Sequence, residues 1–108
     1  MLFEVIVRPG SGALRLVGEL DISTASLLEE ALHEPTSLGG DVVLDLSELS
    51  FIDSTGLQAL LALGRDLGQG GRLVLHSLSP AVARVFELTG LLYDSPFLII
   101  NARGADRQ

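Results

Sequence analysis

A short polar motif, Asp53-Ser54-Thr55-Gly56, follows directly on an apolar run that ends in Phe51-Ile52. A leucine-rich stretch with helical spacing comes next, so the segment predicts a buried strand, a short loop and a helix. The first N–H groups of a helix have no acceptor within the helix and lie at its positive dipole end, where anions such as phosphate are stabilised. A hydroxyl at this turn is therefore a candidate for chemistry, and Ser54 is the first such candidate.

The residues after the motif predict which hydroxyl is free. Thr55 and Gln58 have the spacing of a capping box, in which the N-cap side chain and the residue three positions later bond to each other's backbone N–H. If Thr55 caps the helix, Ser54 lies just outside it with an unbonded hydroxyl. The alternative is that the hydroxyls and Asp53 serve only as helix caps.

Most catalytic uses of Ser54 lack their partner residues. A nucleophile elbow, Gly-x-Ser-x-Gly, needs glycine where Ile52 stands. The two histidines, His33 and His76, show no carboxylate-histidine pattern and are interpreted as structural. The chain contains no Lys for a Walker loop, no Cys, and no grouping of His with carboxylates that predicts a metal site. We therefore predict a protein that is not an enzyme and that holds neither a cofactor nor a metal.

Composition limits the class of partner. The 108 residues, 47% of them hydrophobic, predict a single domain over 1–108 with one core, and residues 102–108 are expected to be a frayed tail. The net charge of -7 argues against nucleic acid and anionic membranes and favours a basic protein partner. Neither a signal peptide nor an apolar run of about 20 residues is present, so we expect a cytoplasmic protein without membrane insertion.

The first half of the chain predicts a hairpin and a helix. Residues 2–8 and 13–17 alternate partially around Pro9-Gly10-Ser11-Gly12, which is the pattern of a β-hairpin. Residues 18–24 break the alternation and offer several N-caps for a helix that Pro35 and Gly39-Gly40 end. Ser26 with Glu29 matches a capping box, so the helix starts at one of these two places. The buried side of this helix is predicted to hold Leu27, Leu28, Ala31 and Leu32.

The second half predicts alternating strands and helices. Residues 41–46 have the apolar, β-branched composition of a central strand, interrupted only by Asp45. Further strands are predicted at 72–76 and 97–100, and Ser79-Pro80 and Gly90 mark the start and end of the helix between them, with an apolar face of Val82, Val85, Phe86 and Leu88. In the helix after Ser54, one face is predicted to hold Leu57, Leu60, Leu61, Gly64, Leu67 and Gly68. Ala59 and Ala62 fall on its outer side, where they are compatible with a docking surface.

Together these elements predict an α/β fold. A small mixed β-sheet with an N-terminal antiparallel hairpin continues into parallel βαβ units, and helices pack on the sheet. The turns at 21–24 and 53–56 follow successive strands, so both open onto the carboxyl edge where functional loops of α/β sheets gather. Asp21, Asp53 and Ser54 are therefore expected to be neighbours.

The sequence resembles a known family, the STAS domains, and within that family it resembles the bacterial anti-sigma factor antagonists. The resemblance covers nearly the whole chain. Its anchors are Gly18-Glu19-Leu20-Asp21, Leu44-Asp45-Leu46, Phe51-Ile52-Asp53-Ser54-Thr55-Gly56-Leu57, Arg72-Leu73-Val74-Leu75 and Leu88-Thr89-Gly90-Leu91. Family members often continue into a C-terminal helix, which the last residues of this chain do not predict.

The resemblance implies a regulatory switch. By that resemblance Ser54 is the phosphorylation site, with Thr55 as the competing acceptor, and Asp21, Asp53 and Gly56 lie beside it. The unphosphorylated antagonist would bind an anti-sigma factor, an ATP-using serine kinase, and so release a sigma factor; phosphorylation would end binding and a phosphatase would restore it. The alternative is a STAS scaffold or accessory subunit that is not phosphorylated, in a stressosome-like assembly or on a lipid-transport ATPase.

Overall fold

Strands and helices alternate along the chain in the computed structural model, which describes residues 3–8, 13–37, 40–67, 70–92 and 97–100. The strands form one sheet in the order β1-β2-β3-β4-β5, with β1 antiparallel to β2 and all later pairs parallel. This confirms the predicted mixed sheet with an N-terminal hairpin and βαβ units. The elements are β1 (Phe3–Arg8), β2 (Ala13–Leu20), α1 (Ala25–Ser37), β3 (Val42–Ile52), α2 (Ser54–Leu67), β4 (Leu73–His76), α3 (Pro80–Thr89) and β5 (Leu98–Ile100).

The hairpin strand β2 is longer than its alternation predicted. Gly18 does not end the strand. Its φ is 109°, and the register of β2 against β3 shifts between Gly18 and Glu19, so the pairing is interrupted by a bulge. Strand β2 continues beyond this bulge to Leu20. The predicted turn at 9–12 and the predicted tail at 102–108 lie outside the described residues.

Helix α1 follows its predicted face only in part. Leu28 and Leu32 are fully buried, but Leu27 is 46% exposed and Ala31 is exposed, so the predicted face was too wide. Leu27 is turned about 100° from Leu28 around the helix axis, which takes it past the line of contact with the core. The helix begins at Ala25, which agrees with the predicted start after residues 18–24 and not with the Ser26 cap. It contains Pro35 and ends at Ser37, so it runs past the proline and ends just before the predicted Gly39-Gly40. A proline near the end of a helix destabilises the helix less than one in its middle, because little of the helix follows the hydrogen bond that the proline removes.

Helix α2 follows its predicted face only in part. Leu60 and Leu67 are buried as predicted, Leu57, Leu61 and Gly64 are half-buried, and Gly68 lies outside the described residues. The helix also buries Gly56, Ala59 and Leu63. Ala59 is only 6% exposed, and the prediction that it lies on the outer side is wrong. The reason is that α2 packs against α1 as well as against the sheet, so a second side of the helix is covered.

Helix α3 is anchored beside the end of β3. Ser79 donates its N–H to Leu46 O (3.2 Å) and its hydroxyl to Leu49 O (2.5 Å), and Ser79 Oγ accepts from Val82 N (3.3 Å). This confirms the predicted cap, and Gly90 ends the helix with a φ of 80°. Leu88 is 73% exposed, so its predicted place on the apolar face is wrong.

Asp45 is the single charged residue in the apolar half of β3, and it is buried. Arg15 on β2 stands opposite it in register and donates from Nε to Asp45 Oδ2 (3.4 Å) and from a terminal guanidinium nitrogen to Glu48 (3.1 Å). Ser47 N donates to Asp45 Oδ1 (2.9 Å). Burial raises the pKa of Asp45, but these bonds and the charge of Arg15 outweigh it, so the net pKa is lowered.

Candidate functional site

The turns after β2 and β3 meet at the carboxyl edge of the sheet. The two strands are parallel neighbours, with Leu20 opposite Ile52 at their ends. Asp53 N donates to Leu20 O (3.2 Å), which ties the start of the second turn to the end of β2. The structure therefore brings Asp21 and the Asp53-Ser54 pair to the same edge, as expected from the order of the strands.

Asp53 is the residue that caps α2. Asp53 Oδ1 accepts from Gly56 N (2.9 Å), and its carbonyl accepts from Leu57 N (2.9 Å). The helix therefore starts at Ser54, and the predicted capping box of Thr55 with Gln58 is wrong. Asp is at least as good an N-cap as Thr, and the bond to Leu20 O already fixes the backbone of Asp53 in place for this role.

Ser54 nevertheless has a free hydroxyl, for a different reason from the predicted one. It occupies the first position of α2, and its side chain is exposed and makes no hydrogen bond to any residue that the structure describes. Thr55, at the second position, is half-buried and likewise has no side-chain hydrogen bond within the described ranges. Because Asp53 supplies the cap, neither hydroxyl is needed for it.

Asp21 is turned inwards to its own loop. It is buried, and its Oδ1 accepts from Ser23 N (2.9 Å) and from the Ser23 hydroxyl (2.7 Å), with Thr24 Oγ1 at 3.3 Å. Thr24 in turn accepts from Asp21 N (2.9 Å) and donates to Glu19 O (2.8 Å). The side-chain bond from Ser23 is the main cause that lowers the pKa of Asp21 against the opposing effect of burial. Asp21 thus holds the shape of the loop that follows Leu20, the residue whose carbonyl accepts from Asp53 N. The sequence pattern did not reveal the roles of Ser23 and Thr24 in this loop.

Gly56 lies where helix and strand come closest. A Cβ built on Gly56 would overlap Leu20 O and would come to 2.9 Å from Leu20 Cγ. No side chain larger than hydrogen fits there without a shift of the backbone. The glycine therefore lets the first turn of α2 press against the end of β2 and holds Ser54 at the sheet edge.

A cleft of about 240 Å³ lies between α1 and α2 on the helix that carries Ser54. Ala59 and Ala62 contribute small side chains to its wall, and Glu29 from α1 and Asp66 from α2 contribute carboxylates. Its lining residues are Glu29, His33, Ala59, Ala62, Leu63 and Asp66. Ala59 and Ala62, predicted from the sequence as a docking surface, are thus part of a concave surface rather than of an outer helix face.

Within 3–8, 13–37, 40–67, 70–92 and 97–100, no group of three or more His, Cys, Asp or Glu side chains is placed to hold a metal ion. None of the helices in these ranges is long and apolar enough to cross a lipid bilayer.

This combination defines a class of protein. The described part of the molecule is a small α/β domain that presents a serine hydroxyl at one sheet edge and a cleft between α1 and α2. Residues 3–100 match the family model described as STAS domain. The chain belongs to the STAS domain family.

Its relatives carry a common description. The chain is 35% identical over 79 residues to the anti-sigma-B factor antagonist of Bacillus subtilis, with 72% of each chain covered. The solved structure of an anti-sigma factor antagonist from Mycobacterium paratuberculosis is 30% identical and superposes with a TM-score of 0.77 over 90% of this chain and 86% of that one. The antagonist SpoIIAA in its unphosphorylated form is 25% identical, with a TM-score of 0.66 over 92% and 87% of the two chains.

Proposed function

We propose that this protein is an anti-sigma factor antagonist that phosphorylation of Ser54 switches off. In the unphosphorylated form it binds an anti-sigma factor that is also a serine kinase, and a sigma factor is released. A phosphatase reverses the modification, and the cycle takes place in the cytoplasm. The protein itself is the substrate in this cycle and performs no catalysis. Membership of the STAS family and the names of the relatives support this proposal.

The observation that carries the choice of residue is the exposed Ser54 hydroxyl at the first position of α2, which makes no hydrogen bond within the described part of the chain. A kinase needs an acceptor that can reach the γ-phosphate of ATP held in its own site. Ser54 Oγ would attack the γ-phosphorus, the bond from that phosphorus to its bridging oxygen would break, and ADP would leave while a kinase base takes the hydroxyl proton. Thr55 is the less suitable acceptor because it is half-buried.

The switch acts on the interface because the added charge is large and local. A phosphoserine carries about -1.5 to -2 charges at neutral pH, and at Ser54 it would stand beside the carboxylate of Asp53. The N-terminus of α2 tolerates an anion, so the domain can accept the group without unfolding. A partner surface shaped for a neutral hydroxyl would have to desolvate this charge, and each 1.4 kcal/mol lost weakens binding about tenfold.

The partner surface in this proposal consists of two parts. One is the sheet edge formed by the Asp21 loop and residues 53–56, and the other is the cleft that contains Ala59 and Ala62. Glu29 and Asp66 give the cleft an acidic rim, which suits a partner that offers basic side chains. The net charge of -7 favours the same class of partner over long range.

The proposal is tested with the ATP-binding anti-sigma factors of the host, purified singly. Each is incubated with the chain and ATP, phosphate is located by mass spectrometry, and binding is measured by calorimetry. We expect Ser54→Ala to abolish phosphorylation and keep binding, and Ser54→Asp to weaken binding at least tenfold. Ser26→Ala, at an exposed serine in the first turn of α1, is the matched control and should change neither.

Two results would contradict the assignment. Phosphate that persists in Ser54→Ala and maps to Thr55 would move the acceptor by one residue. Binding to an anti-sigma factor that never phosphorylates the chain would favour the scaffold alternative.

A further inference from the structure

Strand β1 is an edge strand of the sheet that the described residues form. Among the described residues it pairs only with β2, so the backbone N–H and C=O groups on its other side have no strand beside them. Sheet edges are commonly protected by lysine, proline, bulges or very short strands. The six residues of β1 include no lysine or proline, and their register against β2 runs without a shift from Phe3 to Arg8.

Exposed apolar side chains are found along the same strand. Ile6 is 41% exposed and Val7 is 68% exposed. Because the two residues are adjacent, they lie on opposite faces of the sheet. An added strand would cover both of them at once, whereas a ligand on either face would cover only one.

The sequence of β1 is complementary to itself in one register. When two copies of Phe3-Glu4-Val5-Ile6-Val7-Arg8 run antiparallel about Ile6, each Ile6 faces the other Ile6 and each Val5 faces Val7. The same register sets Glu4 opposite Arg8 at both ends. Opposite charges directly across an antiparallel pair stabilise it, and like charges destabilise it. Moving the centre of symmetry to any other residue removes both of these charge pairs.

We propose that β1 pairs antiparallel with β1 of a second copy of this chain, so that two five-stranded sheets become one continuous sheet across a two-fold axis. The interface is isologous, because the same strand contributes the same surface on both sides. A pair of six-residue strands buries less than the roughly 1,600 Å² of a standard interface. We therefore expect a weak, reversible dimer.

The dimer would leave the proposed phosphorylation site accessible. β1 is antiparallel to β2, and the second β1 is antiparallel to the first, so the two β2 strands run in opposite directions. The carboxyl edges that carry Ser54 then lie at opposite edges of the joined sheet. The inference is thus independent of the proposed function, and a dimer could offer both sites to partners at the same time.

Sedimentation equilibrium of the full chain from 10 to 500 μM tests the proposal. We expect Ile6→Lys to weaken dimerisation at least tenfold, because it places like charges opposite each other at the centre of the pair. The matched control is Ile100→Lys on β5, at the other edge of the sheet, where the exposed fraction of 42% is close to the 41% of Ile6. This control should dimerise like the unaltered chain. Thermal unfolding of each variant, followed by circular dichroism, establishes that it is folded.

A charge exchange tests the register. Glu4→Arg and Arg8→Glu should each weaken the dimer, and the double variant should recover it. The chain contains no cysteine, so Ile6→Cys can also be oxidised, and opposite residues of an antiparallel pair lie within the Cα separation of a disulfide. A disulfide-linked dimer should form with Ile6→Cys and not with Ile100→Cys.

Three results would overturn the proposal. The first is a monomer at 500 μM, and the second is a dimer that Ile100→Lys disrupts and Ile6→Lys does not. The third is a double charge variant no better than either single one.

Discussion

Replacing Gly56 with alanine sets helix propensity against packing. Alanine is the better helix former by about 1 kcal/mol, so propensity alone predicts that Gly56→Ala stabilises the domain. In the structure the new methyl group would overlap Leu20 O and lie 2.9 Å from Leu20 Cγ. The carbonyl cannot move away freely, because it accepts the hydrogen bond from Asp53 N. Overpacking of this kind costs about 1–3 kcal/mol, and losing the hydrogen bond would add about 1 kcal/mol.

The packing cost exceeds the gain in propensity, so we expect Gly56→Ala to destabilise the domain by about 1–3 kcal/mol. For a domain of this size that corresponds to a fall in Tm of roughly 5 to 15 °C. Calorimetry measures the fall in Tm, and urea unfolding measures the loss in the free energy of unfolding. Gly70→Ala is the control, because a Cβ at Gly70 meets no atom within 4 Å. A Gly56→Ala variant as stable as the unaltered chain, or more stable, would refute the close approach of α2 to β2.

The other predictions concern the helix cap and acid stability. Asp53→Ala should cost about 1 kcal/mol in the free energy of unfolding and Thr55→Ala less than about 0.5, by urea unfolding; the reverse order would favour a Thr55 cap. The lowered pKa of Asp45 means that its contribution to stability is present above the unfolded pKa of about 3.9 and is lost as pH falls through the lower folded value. The free energy of unfolding of Asp45→Asn should therefore rise less steeply with pH from about 3 to 5 than that of the unaltered chain, and parallel curves would contradict this.

Local chemistry explains why most elements could be predicted from the sequence. The alternation of apolar and polar residues predicted both strands of the hairpin. Ser79-Pro80 and Gly90 predicted the bounds of α3, because capping residues, proline and glycine determine helix ends through local backbone conformation and hydrogen bonds. The continuous apolar run of β3 indicated a strand covered on both faces, and the burial of consecutive side chains from Leu44 to Leu46 agrees with that. The meeting of the two turns followed from strand order alone.

The wrong predictions concern residues whose contacts are made with a different helix or strand. Thr55 with Gln58 is a valid capping box in isolation, but the bond from Asp53 N to Leu20 O places the cap two residues earlier. The spacing of residues along α2 predicts an outer position for Ala59, because it gives only the angle of the side chain relative to the sheet. It does not show that α1 lies beside that part of the helix. The close contact of Gly56 with Leu20 likewise joins residues 36 positions apart in sequence. Spacing along a single helix carries no information on any of these contacts.

The corrected cap strengthens the physical basis for a phosphate at Ser54. Asp53 Oδ1 accepts from the N–H of Gly56, and the backbone carbonyl of Asp53 accepts from the N–H of Leu57. The N–H groups of Ser54 and Thr55 are left without an acceptor among the described residues. With Thr55 as cap, Ser54 would have stood outside the helix and further from these donors. At the first helical position its phosphate would have unpaired N–H groups and the positive end of α2 close by. These offset repulsion by Asp53 within the domain, so the unfavourable part of the added charge falls on a partner rather than on the fold.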